Sequence, residues 1–365
     1  MTIGQRQIYI LGAGGIGTLI SSQLCQKYGV NFFIRSAHKI DHLKQNSNKI
    51  TIQQAFNNNK IIDYNISNSL TVDSFIKSNS NNPDFYIEFL FVCVKTFDTI
   101  KALKPLLNWI KPNKTKIILV QNGMGVVEEL YSKFWPNLES RPILYQGVIS
   151  HGVYQNLSDS IDNPFKFIHA GFADFKICKV PKDLNNPESN IESDKEANDE
   201  IIDYLVENAE LATSYHNYKD FLVYQVEKLM VNACINPNTA IVDCVNGELG
   251  NIESVKSLFT EIISESINVL SKSLPILKES KIYKEKFDDQ EKLVNYVLDC
   301  GTILNGKNSS SMRQDVLNNR GIEIDYINGF IVSQAESIGL IAPVNKTIQL
   351  LAKTKLQISL NRLNN

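Results

Sequence analysis

The sequence predicts an α/β fold in two parts. An N-terminal parallel-sheet domain covers residues 1–198, and an all-helical C-terminal domain covers residues 199–365. Three observations predict it. Short apolar runs alternate with helix-periodic segments through the first half, the pattern of a parallel sheet with crossover helices. A glycine-rich turn joins the first apolar run to the first helical segment. From about Asp199 onward, long stretches of 3.6-residue periodicity take over.

The elements follow in order. Gln7-Ile8-Tyr9-Ile10-Leu11 reads as a buried strand. Gly12-Ala13-Gly14-Gly15-Ile16-Gly17 comes next, and Ile16, Leu19, Ile20 and Leu24 then recur at helical spacing until Gly29. Val30–Ile34 is the second strand. Strand, glycine turn, helix and strand within about 30 residues form the unit of a Rossmann-type dinucleotide-binding domain. Residues 45–85 are rich in Asn and Ser, with short strands expected at Ile50–Ile52 and Ile61–Ile66. Phe89–Val94 and Ile117–Val120 read as central strands, with a helix over Thr99–Ile110 between them. The stretch around 181–200 is acidic and polar, too poor in apolar surface to offset its ordering entropy, and reads as a loop near the domain boundary. Helices are then expected over Ile201–Tyr215, Phe221–Cys234, Ile252–Ser271, Asp288–Tyr296, Ile322–Ile338 and Asn345–Leu360.

Composition excludes several function classes. Lys and Arg number 37 against 39 Asp and Glu, a formal net charge of −2 in 365 residues. That balance points to neither nucleic acid nor an anionic membrane surface as partner. No apolar run reaches the ~18 residues that a membrane span needs. The six cysteines (Cys25, Cys93, Cys178, Cys234, Cys244 and Cys300) are scattered, without a CxxC pair or a histidine cluster. No metal site is expected from them, and free thiols in a reducing compartment are. The start enters a strand by Gln7, leaving no room for a leader, so the cytoplasm is the expected location.

The glycine turn carries the first chemistry. Gly12 permits the tight turn, Gly14 lets backbone approach a pyrophosphate, and Gly17 allows close helix–sheet packing. Ala13, Gly15 and Ile16 complete a loop whose amides, at a helix N-terminus, receive phosphates. The end of the second strand selects the cofactor. An acid there would bind a ribose 2′-hydroxyl, but this chain has Arg35, followed by Ser36, His38 and Lys39, with no acid before Asp41. A cation there suits a 2′-phosphate, so NADPH/NADP+ is the expected cofactor.

Lys95 and Asn122 each follow an apolar strand, at the carboxyl ends where ligands bind in open α/β sheets. Lys228, Asn232 and Asn236 are spaced i, i+4, i+8 and share one helix face. A cation and two amides in a row suit a cleft better than a core. There the lysine can stabilise and protonate a developing alkoxide. Ser311 to Gln314 fits a capping box. Glu323 is expected in the first turn of the helix that follows Gly321. His151 is expected to be structural or to shape the cofactor site, since Lys228 already supplies a proton.

These features agree with one family. The chain resembles the 2-dehydropantoate 2-reductases (ketopantoate reductases) over nearly its whole length. The resemblance rests on the glycine motif with Arg35, Val92-Cys93-Val94-Lys95-Thr96, Gln121-Asn122-Gly123-Met124-Gly125, Ser150-His151-Gly152 and His169-Ala170-Gly171. In the helical half it rests on Glu227 through Pro237, Asn246-Gly247-Glu248-Leu249, Ser310 through Asp315 and Glu323 through Gly329. It implies NADPH-dependent reduction of 2-dehydropantoate to pantoate in the pathway to pantothenate and coenzyme A. Lys228 is then the proton donor, with Glu323 supporting it and touching the cofactor. Lys95, Asn122 and Gly152 lie at the cofactor, and Asn122 also touches substrate. Asn232, Asn236 and Asn246 bind substrate, and Ser311 receives its carboxylate. Two positions depart from the family: Ile322 stands where threonine is usual, and Arg313 where an apolar residue is common. Both bear on the substrate pocket. Two other readings remain: a reductase of another branched 2-keto acid, and a non-catalytic NADP(H)-binding regulator. Monomer and homodimer are both open.

Overall fold

The structure, a computed structural model, describes residues 5–155, 163–186 and 199–363. Its strands are β1 (Gln7–Leu11), β2 (Gly29–Phe33), β3 (Lys49–Gln54), β4 (Lys60–Asn65), β5 (Asn68–Leu70), β6 (Phe89–Val92), β7 (Lys116–Val120), β8 (Ile143–Ile149), β9 (Gly152–Tyr154), β10 (Lys166–Gly171), β11 (Phe175–Lys179) and β12 (Thr213–Tyr215). The helices of the first half are α1 (Gly15–Leu24), α2 (Ala37–Gln45), α3 (Val72–Asn79), α4 (Thr99–Leu103) and α5 (Val126–Phe134), with α6 (Glu200–Glu207) just before β12. Those of the second half are α7 (Tyr218–Val242), α8 (Glu253–Ser273), α9 (Tyr283–Phe287), α10 (Gln290–Leu298), α11 (Ser311–Leu317), α12 (Asn328–Ser337) and α13 (Pro343–Leu363).

The main sheet runs β12-β11-β8-β7-β6-β1-β2-β5. From β5 to β8 every pairing is parallel; β11 joins β8 antiparallel. Every residue of β2 and β6 is buried, as expected of strands covered on both faces. One cover is unexpected. A second sheet, β4-β3-β10-β9, lies beyond α1, which contacts strands of both sheets. The helix is therefore buried nearly all round, from Gly17 to Leu24. Its hydroxyls satisfy themselves on the helix backbone, Ser21 Oγ donating to Gly17 O at 2.6 Å and Ser22 Oγ to Leu19 O at 2.7 Å. The helix expected over Thr99–Ile110 is α4 followed by a 3₁₀ segment, Lys104–Trp109, which tightens where Pro105 enters.

The chain divides into two units: residues 1–121 with 128–218, and residues 122–127 with 219–365. The boundary thus falls after Tyr218 rather than after residue 198. Two interactions explain the difference. β12 pairs with β11 at the sheet edge, so the helix expected over Ile201–Tyr215 ends at Glu207 and gives way to a strand. Ile201, Ile202 and Leu205 of α6 are buried in the same core as Ile8 and Phe32. Most of the polar stretch near 181–200, residues 187–198, lies outside the described residues.

The second unit is built around α7, which runs through Pro237. A proline inside a helix leaves the carbonyl four residues earlier without its amide partner. That carbonyl belongs to Ala233, and the buried Asn328 donates to it at 3.3 Å. Asn328 also donates to Asn345 Oδ1 at 3.0 Å, and Asn345 donates to Glu265 at 2.8 Å and Ser266 at 3.2 Å. This network ties α7, α8, α12 and α13 together. It gives Asn328, part of the Glu323–Gly329 motif, a structural duty. No helix among the described residues is long and apolar enough to cross a membrane.

Candidate functional site

In the first unit the glycine loop has the geometry its motif requires. Gly12 adopts φ +109°, and a Cβ there would meet the backbone N of Val94 at 2.7 Å. A Cβ on Gly17 would meet Gly12 O at 2.0 Å. Gly14, by contrast, has nothing within 4 Å of where a Cβ would sit, and as N-cap of α1 it provides no side-chain cap. Open space in front of uncapped helix amides fits a bound pyrophosphate. Gly15 backs onto β9: its Cβ would touch Val153 Cγ1 at 3.0 Å. That contact places Gly152, the first residue of β9, next in chain to the loop's neighbour.

Arg35 follows β2 and is 88% exposed at its side chain; its Nη1 lies 3.8 Å from Asp98 Oδ2. Ser36 caps α2, accepting from Lys39 N at 3.4 Å. Lys95 follows β6 and opens the 3₁₀ turn Thr96–Asp98. Gln121, quoted only within a motif, proves to bind two strand ends together. Its Nε2 donates to Val94 O at 2.7 Å and to Thr99 Oγ1 at 2.6 Å, and its buried Oε1 has no protein partner.

His151 is buried in an all-neutral network. Ala173 N donates to His151 Nδ1 at 3.3 Å, so the ring proton lies on Nε2, which donates to Leu211 O at 2.9 Å. His169 Nε2 then donates to His151 Nδ1 at 2.9 Å. Burial, then the neighbouring His151, push His169 down to about 4, and burial lowers His151 as well. Such a ring holds three backbone segments together and is no proton donor at neutral pH.

In the second unit, α7 carries Lys228, Asn232 and Asn236 along one face. Lys228 is half-buried; Asn232 and Asn236 are buried. Asn246 opens a 3₁₀ turn and is also buried, its amide N held by Asn308 O at 3.0 Å. Asn232 Nδ2 and Asn246 Oδ1 have no hydrogen-bond partner in the protein. Leaving a buried donor or acceptor unmade costs ~1–3 kcal/mol. One orphaned donor and one orphaned acceptor are what a polar ligand would satisfy.

Asn122 and Glu323 are brought together. Asn122 Nδ2 donates to Glu323 Oε2 at 3.4 Å. The approach depends on Gly123, at φ +82°, whose Cβ would meet Tyr326 O at 2.4 Å. Met124 N donates to that same carbonyl at 2.8 Å. Gln225, three residues before Lys228 on α7, donates to Gly123 O at 3.5 Å. Sequence reasoning missed Gln225, because its partner lies far away in the chain. Glu323 is buried and is the N-cap of a 3₁₀ turn, Ile324–Tyr326, rather than part of a first α-helical turn; the helix itself begins at Asn328.

The capping box expected from Ser311 does not form; the serine cap lies one residue earlier, with Arg313 where the box would need Glu or Gln. Ser310 is the N-cap of α11, accepting from Arg313 N at 3.1 Å, while Ser311 is exposed at the first helical position. Thr239 selects Ser310 from the serine run by donating to its Oγ at 2.7 Å. Of the two departures, Arg313 pairs with Asp243 at 2.8 Å and reaches Ser309 Oγ at 3.1 Å, whereas Ile322 is buried. A π-helical turn, Asp299–Leu304, also escaped the periodicity. Gly301 lets it close on Ile235, where a Cβ would meet Ile235 Cδ1 at 2.2 Å. No group of three metal-ligating side chains occurs among the described residues.

Comparisons with known proteins show the family. The family description "Ketopantoate reductase PanE/ApbA" matches residues 8–182, and "Ketopantoate reductase PanE/ApbA C terminal" matches residues 220–356. A protein of Schizosaccharomyces pombe named "Probable 2-dehydropantoate 2-reductase" is 40% identical over 96% of this chain and 97% of its own. The 2-dehydropantoate 2-reductase of Saccharomyces cerevisiae is 36% identical over 97% of this chain and 96% of its own. A solved structure from Bacillus subtilis, named as a probable 2-dehydropantoate 2-reductase, shares the fold with a TM-score of 0.67, at 21% identity over 96% of this chain and 99% of that one. With both halves matched and full-length relatives above 30% identity, the chain belongs to the ketopantoate reductase PanE/ApbA family.

Proposed function

We infer that this chain is an NADP-dependent oxidoreductase that reduces 2-dehydropantoate to pantoate, serving pantothenate synthesis. The observation that carries the reading is the face of α7 that bears Lys228, Asn232 and Asn236, with a buried amide nitrogen on Asn232, and a buried amide oxygen on Asn246 in the turn that follows, without protein partners. Gly12 through Gly17 and Arg35 would hold the dinucleotide, with Lys95, Asn122, Gly152 and Glu323 beside it. When bound, the reduced nicotinamide supplies a hydride for the 2-keto carbon. Lys228 steadies negative charge as it grows on the ketone oxygen and donates its Nζ proton there, leaving a neutral amine that solvent recharges. Glu323, held by Asn122, keeps a carboxylate available to favour the ammonium form. Asn232, Asn236 and Asn246 bind the substrate's oxygens, and Ser311 its carboxylate. A site built to hydrogen-bond a hydroxyl strongly rejects analogues lacking it. Free thiols at all six cysteines suit the cytosol as the place of work.

The test follows NADPH oxidation by absorbance with 2-dehydropantoate, NADH as alternative cofactor, 2-keto acids lacking the 4-hydroxyl, and Lys228→Ala. Preference for NADPH and 2-dehydropantoate, with collapse in Lys228→Ala, is the expected result. Turnover only with another keto acid would move the substrate and keep the mechanism. NADPH binding without any turnover would leave a binding protein.

A further inference from the structure

The Arg35–Asp98 contact puts an acid where the sequence around β2 had none. Arg35 is the cation that marks the 2′-phosphate site, yet its guanidinium is 88% exposed and touches Asp98 through one nitrogen at 3.8 Å. The two partners are not equally held. Asp98 is only 29% exposed at its side chain, and its backbone N donates to Lys95 O at 2.9 Å within a closed 3₁₀ turn. Arg35 is a long arm in solvent, and an exposed pair at that distance restrains it little. The fixed charge of the pair is therefore the negative one. Ser36, which could offer a hydroxyl nearby, already accepts from Lys39 N as the cap of α2.

A ribose 2′-phosphate carries close to two negative charges at neutral pH. Drawing Arg35 onto it takes Arg35 away from Asp98 and brings like charges near one another. A free 2′-hydroxyl makes the opposite demand: it needs an acceptor, the service an acid at the end of the second strand performs in NAD-binding folds. Asp98 offers one from the turn after β6. We propose that Asp98 is a specificity-determining residue of the dinucleotide site: it competes with the 2′-phosphate for Arg35 and accepts from a ribose 2′-hydroxyl, so that the chain binds NADH as well as NADPH. The proposal rests on the reading of Arg35 as the 2′-phosphate cation.

The experiment measures dissociation constants by calorimetry for the wild type, Asp98→Asn, Asp98→Ser and Arg35→Ala. The ligands are NADPH, NADH, adenosine 2′,5′-bisphosphate and ADP, with thermal melting as a folding control. Both Asp98 variants should bind NADPH and the bisphosphate more tightly and NADH and ADP more weakly, raising the NADPH-to-NADH affinity ratio about tenfold at low salt, less at high salt. Wild type should bind NADH measurably. A ratio unchanged within about twofold would overturn the proposal. So would weaker NADPH binding in Asp98→Asn, which would make Asp98 a prop that holds Arg35 in place. If Arg35→Ala leaves the ratio untouched, the 2′-phosphate assignment itself fails, and that result is separate from anything Asp98 does.

Discussion

The two units shape their candidate sites largely by different means. The first offers backbone: glycines whose missing Cβ atoms leave room, and helix amides that no side chain caps. The second offers side chains, placed on α7 and on turns pinned by distant partners such as Tyr326 and Asn308. A backbone site is sensitive to added atoms, and a side-chain site to removed ones. The first unit's open feature is a loop with space in front of it. The second's candidate site includes two desolvated amide atoms, on Asn232 and Asn246, which cost stability while unpaired.

The largest effect should come from removing atoms in the second unit. Lys228→Ala should lower kcat by about 10²–10⁴-fold, the range for losing a positioned proton donor. NADPH affinity, read by fluorescence titration, should stay within about twofold. If affinity and kcat fell together, the lysine would be serving the first unit's ligand, and the division of labour would fail. Adding an atom in the first unit is the converse. In Gly17→Ala the new methyl meets Gly12 O at 2.0 Å, so the loop must move. NADPH affinity should fall at least about tenfold, with ~1–3 kcal/mol lost from stability by overpacking. An unchanged dissociation constant would show that the loop's shape is not what holds the cofactor.

A finer contrast lies within the second unit, between two buried asparagines. Asn345 is fully engaged, with donors to Glu265 and Ser266 and an acceptor for Asn328. Asn345→Ala strands those partners and should cost ~2–3 kcal/mol in chemical denaturation. Asn232 has an amide nitrogen without a protein partner. Asn232→Ala removes an unmet donor, so the free protein should keep or slightly raise its melting temperature, while KM for 2-dehydropantoate rises about 10- to 100-fold. A stability loss at Asn232 equal to that at Asn345 would make it a structural residue.

Much of this was legible in the sequence, for reasons that differ by element. The glycine loop and β1, β2, β6 and β7 could be read because each answers to local rules: buried runs, turn glycines and helical spacing. Lys228, Asn232 and Asn236 were legible as a face because three residues at i, i+4, i+8 need only a helix. What escaped depends on partners remote in the chain. No periodicity announces that Gln225 reaches Gly123, that Thr239 picks Ser310 over Ser311, or that Asp98 meets Arg35. The boundary moved to Tyr218 for the same reason, since Thr213–Tyr215 becomes a strand only because β11 offers it an edge. Asn328 was quoted inside a functional-looking motif, yet it answers a backbone defect made by Pro237 on another helix.

The smallest effect tests a buried histidine pair of the first unit. His151 and His169 share a hydrogen bond at 2.9 Å, and burial, then the partner ring, hold His169 at about 4 against an ordinary 6.5. The folded state therefore binds fewer protons than the unfolded chain between those values. Stability from this group is fully present above pH 6.5 and is lost as pH falls toward about 4, because protonating His169 charges a ring packed against Phe56, Phe172 and His151. Carboxylates titrate in the same range, so the informative quantity is a difference. Denaturation midpoints of wild type and His169→Phe should converge as pH drops from 7 to 4.5, the variant having no proton to gain. His151 stays anchored in that variant through Ala173 N and Leu211 O. Parallel curves would mean that the pair is neutral packing with no bearing on acid stability. Convergence would show that part of the first unit's acid sensitivity sits in this buried histidine pair.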